Sequence, residues 1–360
     1  MTIRLIFYFP TRNAYFCTMD KLKIALVGSG NMGQVIHLPI LKKMQDVEVC
    51  AIVDPDERKA KIIAERFGIT STFKSIDALL TSGIGSEISA VDICTPTDQH
   101  KSPAIAALQS GKDVLIEKPI ARTAKEAKEI NDVAHKYGRK LMVGMNNRFR
   151  PDAMILKSFI DAGELGNIYY IKSGWLKQQS SIASWQQQKE KSGGGVFIDL
   201  GIVILDMSLW LLNYPDVSTV SATTYNQFTK KVEDSAAVFI RLANGVTLTI
   251  ETSWTFHREG DFFYCNVFGK DGSAFVNPLR VFKQVAGNLV NLTPAKNDSQ
   301  VALYKKSYEN ELRHFVNTCR GLVPLISSGD DAVKRMQIVE AIYQSAAKQK
   351  EISLAPSKKK

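Results

Sequence analysis

Three stretches of the chain hold residues whose types and spacing can do chemistry. The first is Gly28-Ser29-Gly30-Asn31-Met32-Gly33, which follows the apolar run Leu22 to Val27. That order predicts a strand, a tight turn and the first turn of a helix, a cradle for a diphosphate. Gly28 supplies the turn, Gly30 lets a phosphate approach the backbone, and Gly33 lets the helix pack on its strand. Asp54 closes the next apolar run, Val47 to Val53, 21 residues after Gly33. An acid there can accept hydrogen bonds from both ribose hydroxyls and repels a 2′-phosphate, which favours NAD. Arg58, one helical turn later, could reach such a phosphate and keeps NADP open.

The second stretch lies at the ends of two further strands. Ala90 to Cys94 runs into Thr95-Pro96 and His100, and Asp113 to Ile116 runs into Glu117-Lys118-Pro119. Doubly wound sheets place ligands at the carboxyl ends of their strands, so Thr95, Pro96, His100, Glu117 and Lys118 are expected there. His100 is expected to act as a loop hydrogen-bonder beside the cofactor. The third stretch is a helix from Gly193 to Trp210, apolar on nearly every face and therefore buried. It nevertheless carries Asp199 and Asp206, which share a face with Val203 at i, i+4 and i+7. Two buried carboxylates need cationic or hydrogen-bonding partners.

The elements that must position these groups divide the chain in two. Strands alternate with helices from residue 19 to 145, which predicts a parallel sheet covered on both faces, a Rossmann NAD(P)-binding domain. From 146 to 360 the pattern becomes α+β. Strands rich in aromatic and β-branched residues predict a large, mostly antiparallel sheet, with a hairpin at Asn244-Gly245. Helices are expected at 36–44, 123–137, 153–162, 308–319 and 330–348. Residues 1–18 read as a disordered tail or a mis-assigned start, because Met19 stands immediately before the first strand. A length of 360 residues also favours two domains over one core.

Composition excludes several classes. An apolar fraction of 45% with 23% charged residues fits a soluble globular protein, and no stretch reads as a membrane span. The net charge of +10 comes from scattered lysines, so neither nucleic acid nor a membrane is expected as a partner. Five cysteines without a C-x-x-C pair point to a reducing, cytoplasmic setting, and the five histidines lack metal-ligand spacing, so no metal is expected.

Taken together, the glycine motif, Thr95-Pro96 with His100, Gly111-Lys-Asp-Val-Leu-Ile-Glu117-Lys118-Pro119, Asn146-Asn-Arg-Phe149 and Gly193-Gly-Gly with Asp199-x-Gly201 resemble the glucose-fructose oxidoreductase, inositol dehydrogenase and MocA family, Gfo/Idh/MocA. The resemblance covers about Leu22 to Leu354. It implies hydride transfer between NAD or NADP and a carbon of a sugar, polyol or cyclitol. It makes Lys118 and Asp199 the catalytic pair, with the lysine's pKa lowered so that it can move the hydroxyl proton. It also implies a homodimer or homotetramer formed through the C-terminal sheet. Arg148 and Trp175, with Trp185 and Tyr169, could stack on or hydrogen-bond a sugar beside Lys118, Asp199 and position 203. Position 203 departs from the family pattern: Val203 stands where the family carries a proton-moving histidine or tyrosine. Valine moves no proton, so the task falls to Lys118, Asp199 and water, or to Asp206. Two other readings stay open: a binding or regulatory protein that retains NAD without turnover, and an NAD-dependent glycosidase or lyase.

Overall fold

Short apolar runs that alternate with one-sided helices build the first sheet. The computed structural model describes residues 20–178, 182–257, 259–295 and 298–354, so the expected tail at 1–18 lies outside the described residues. Strands β1 (Leu22–Val27), β2 (Val47–Val53), β3 (Ser71–Phe73), β4 (Ala90–Ile93), β5 (Asp113–Glu117) and β6 (Leu141–Gly144) form a sheet in the order β3-β2-β1-β4-β5-β6. Every pairing in it is parallel. The order reverses between β1 and β4, which opens a crevice at the carboxyl ends of those two strands. Local signals set the helix limits. Asp56 and Thr123 cap helices Glu57–Phe67 and Ala124–Lys136 by accepting from the backbone N–H groups of Lys59 and Glu126, and Gly68 ends the first with φ 61°.

The second sheet holds β7 (Ile168–Leu176), β8 (Val217–Tyr225), β9 (Ser235–Leu242), β10 (Thr247–Ser253), β11 (Phe262–Gly269), β12 (Gly272–Val276), β13 (Arg280–Val285), β14 (Asn288–Asn291) and β15 (Ile352–Ser353). Its order is β14-β13-β12-β11-β7-β10-β9-β8-β15, and only β7 and β10 pair in parallel. Alternation along β7 assigns the faces. Ile171 and Ser173 point to the buried helix, where the Ser173 and Ser208 hydroxyls lie 3.2 Å apart. Lys172 and its neighbours Glu251 and Tyr264 point to the other, uncovered face.

Several expectations change. The first helix begins at Met32 as a π turn through His37 and ends at Leu41 rather than Met44. The helix expected at 308–319 starts at Gln300, because Ser299 caps it there. The run Ile168 to Ile171 predicts a strand ending at Ile171, whereas β7 continues to Leu176, and β14, β15 and helix Gly83–Glu87 were not anticipated. The apolar helical run Lys189–Leu211 is long and apolar enough to cross a membrane, contrary to the reading of composition. It is a core helix, with 89% of its apolar window buried in the protein.

Candidate active site

The glycine loop lies at the crevice between β1 and β4. Gly28 has φ 91°, and a Cβ there would stand 2.8 Å from the Thr95 nitrogen; a Cβ on Gly33 would stand 2.5 Å from the Gly28 oxygen. Both glycines are therefore demanded by the protein itself. Gly30 is not: its added Cβ would meet nothing closer than the Cys94 oxygen at 3.9 Å. The space beside it suits a diphosphate, and the loop thus fits a dinucleotide. Asn31 is exposed and Met32 half-buried where the following helix begins.

Asp54 is buried at the end of β2. Its carboxylate accepts from the Ser29 N–H at 2.9 Å, the Ser29 hydroxyl at 2.6 Å and the Asp56 N–H at 3.0 Å. Burial pushes its pKa up, but these donors outweigh burial and hold it ionised below the usual carboxylate range. Lys59, not Arg58, approaches this acid, with Nζ 3.2 Å from Oδ2. Arg58 is exposed on the first turn of its helix.

His100 is buried between two loops. Its Nδ1 lies 2.9 Å from the Pro119 oxygen and its Nε2 2.8 Å from the Thr95 oxygen. Burial pulls its pKa down, so the neutral ring donates from one nitrogen at a time. It ties the Thr95-Pro96 turn to the Lys118-Pro119 turn. The Thr95 hydroxyl oxygen is buried without a hydrogen-bond partner among the described residues.

Lys118 leaves the end of β5 and meets the buried helix. Its Nζ donates to Asp199 Oδ1 at 2.8 Å and to the Asp199 backbone oxygen at 2.9 Å. Asp199 lies in a π turn, Phe197–Gly201, and its Oδ2 accepts from Trp254 Nε1 at 3.0 Å. The lysine and aspartate side chains keep 26% and 21% of their surface exposed, so the pair remains open to solvent. Burial by itself lowers Lys118, yet the Asp199 charge and hydrogen bond outweigh it and raise its pKa above the ordinary lysine value. This corrects the expected lowered pKa: the group stands as an ammonium. Asp199 is held correspondingly low, against its burial, by Lys118 and then by Trp254 and Lys177.

Behind this pair lies a set of residues that sequence spacing did not bring together. His37, in the π turn after the glycine loop, places Nδ1 2.8 Å from Asp92 Oδ2 and Nε2 3.1 Å from Glu117 Oε1. Burial acts against its charge, but Asp92 outweighs it and keeps the imidazole protonated well above its usual range. Glu117 in turn accepts from the Lys118 N–H at 3.1 Å. Trp254 was also missed; its only sequence signal is its place immediately after β10.

Two expected substrate residues lie elsewhere. Arg148 is 2% exposed, and its guanidinium binds Asp206 twice, at 2.8 and 2.6 Å, and Asp331 at 2.9 Å. Asp206 also accepts from Arg335 and Tyr214, so it cannot serve as a free acid or base. The physical reason is distance along the helix: seven residues carry Asp206 about 10 Å from Asp199, into the domain interior. Val203 is buried in the apolar core. Trp175 stays at the site end of β7, half-buried, with its ring edge-on to Phe263 and beneath the Lys177 ammonium. Tyr169 is exposed at the opposite end of that strand, about 20 Å away. Trp185 is half-buried in the loop before the buried helix.

A dinucleotide cradle joined to an ammonium–carboxylate pair at a strand end defines a nicotinamide-dependent oxidoreductase built on a Rossmann domain. Residues 22–145 match the oxidoreductase family with an NAD-binding Rossmann fold, and residues 157–354 match that family's C-terminal alpha/beta domain. The chain belongs to the Gfo/Idh/MocA oxidoreductase family, with NAD as cofactor. It is 28% identical over 353 residues to D-glucoside 3-dehydrogenase of Escherichia coli K12, covering 91% of this chain and 96% of the relative. It is 28% identical to inositol 2-dehydrogenase of Rhizobium meliloti 1021 over 343 residues, covering 93% and 99%. Among solved structures, GenD2 from gentamicin A biosynthesis in complex with NAD superposes with a TM-score of 0.81 at 25% identity, covering 97% of this chain and all of that one.

Proposed function

We propose that the protein oxidises a secondary hydroxyl of a sugar, polyol or cyclitol, or reduces the corresponding carbonyl, with Lys118 as the group that polarises the reacting oxygen and moves its proton. The observation that carries this reading is the Lys118–Asp199 pair, charged, part-exposed and placed at the carboxyl end of β5. Gly28, Ser29, Gly30, Asn31, Met32, Gly33 and Asp54 would hold the diphosphate and adenosine ribose, while Thr95, Pro96, His100 and Glu117 would flank the nicotinamide half. NAD supplies the hydride acceptor or donor when bound. In the reducing direction the Lys118 ammonium donates a hydrogen bond to the carbonyl oxygen, then its proton to the forming alkoxide. In the oxidising direction a neutral Lys118 takes the hydroxyl proton, so oxidation should speed up as pH rises towards the lysine's raised pKa. Asp199 orients the amine and Trp254 orients Asp199. Trp175 offers an apolar ring face to a sugar.

The test is a screen of sugars and cyclitols for NADH formation, followed by Lys118→Ala. Turnover should fall by roughly 10²–10⁴-fold while NAD affinity changes only a few fold. Unchanged turnover would remove Lys118 from the chemistry. A second reading, retention of NAD without turnover, is favoured by Val203 and is separated by the same screen. A second copy of the chain is proposed to cover the open face of the nine-stranded sheet around Lys172, Glu251 and Tyr264, which light scattering of the purified protein would test. The four described cysteines are free, in keeping with a cytoplasmic location that fractionation would check.

A further inference from the structure

Helix Gln300–Cys319, from the C-terminal half, packs on the π turn that carries His37 and brings Glu311 within electrostatic reach of the charged set behind Lys118. Glu311 has no exposed surface, and neither of its carboxyl oxygens has a hydrogen-bond partner among the described residues. The groups acting on it come from four elements: Glu117 at the end of β5, His37 in the π turn, Asp92 on β4 and Asp206 on the buried helix. Tyr308, one turn earlier on its own helix, is within electrostatic reach of both Glu117 and Glu311.

Charge counting decides the state of this carboxyl. His37 is the cation of the set, and both its ring nitrogens are engaged, one by Asp92 and one by Glu117. Asp206 is satisfied by Arg148 and Arg335. A third carboxylate here would face Glu117 and Asp92 with no cation of its own and no water-exposed surface. We propose that Glu311 is a neutral carboxylic acid in the folded protein. Burial, and then the Glu117 charge, both act to keep its proton on.

An acid that keeps its proton only when folded makes unfolding release a proton. Stability is therefore lost as pH rises from the unfolded glutamate value, about 4.3, towards the raised folded value. Urea unfolding of native protein and of Glu311→Gln between pH 5 and 8 should show the native unfolding constant growing about tenfold per pH unit relative to the variant. Parallel curves would mean that Glu311 is ionised in the folded protein and would overturn the proposal. Should the glutamine variant not fold, infrared spectra of ¹³C-glutamate-labelled protein give a second measure. A labelled protonated-carboxyl band at neutral pH that is absent from Glu311→Asp supports the proposal, and its presence in both proteins opposes it.

Discussion

Asp199→Asn removes the charge that holds Lys118 as an ammonium while keeping an oxygen that can accept from its Nζ. The charges are 2.8 Å apart. At an effective dielectric of 20 that separation corresponds to about 6 kcal/mol of attraction. Both side chains are about a quarter exposed, so solvent screens most of it, leaving roughly 1.5–3 kcal/mol, or about one to two pKa units. Burial, which lowers Lys118, then acts with less opposition. The alkaline rise in the oxidation rate should shift to lower pH by about one to two units, because the neutral amine forms sooner. The assay is the initial rate of NADH formation from the sugar found by screening, at fixed ionic strength from pH 6 to 10.5. A midpoint that stays put, or moves upward, would show that Lys118 does not set the proton inventory of the reaction.

Gly30→Ala should leave thermal stability nearly unchanged, since its methyl meets no protein atom closely, yet weaken NAD binding measured by calorimetry; Gly28→Ala should destabilise the fold itself, because its φ is 91° and its methyl would strike Thr95. Asp54→Ala should cost about 1.5–3 kcal/mol of NAD affinity and less of NADP affinity, and an equal loss for both would end the ribose assignment. Arg148→Ala leaves Asp206 with fewer buried partners and should lower stability to urea by about 3–5 kcal/mol. Its KM for substrate should hardly move once the protein is folded, whereas a large specific rise in KM would return Arg148 to the substrate pocket.

Much of the dinucleotide half was legible because local rules control it. Three glycines with distinct spatial duties, an acid at the end of β2 and caps such as Thr123 each leave a mark on the sequence within a few residues. The pairing of Lys118 with Asp199 was legible only through a resemblance, since 81 residues separate two side chains that meet at 2.8 Å. His37, Asp92 and Glu311 left no comparable trace, and Glu117 was read only as a neighbour of the cofactor, because a buried charged set is assembled from strands and helices far apart in the chain. Helical spacing misled at Asp206. Periodicity gives the face of a helix but not what stands opposite each turn, and two arginines stand opposite that one. Arg148 was misplaced for the same reason: an arginine near a presumed pocket reads the same whether its partner is a sugar or a buried aspartate.

The helix Phe197–Leu211 is pinned at both ends by charge. Asp199 is gripped by Lys118 and Trp254 near one end, and Asp206 by Arg148 and Arg335 towards the other. Neither grip uses the residue between them. Position 203, packed in the apolar core, thus takes no part in either charged grip. A chain can exchange a proton-moving side chain for valine there and keep the helix, the lysine and the cofactor cradle in register. Divergence in chemistry at this one position need leave no imprint on the fold.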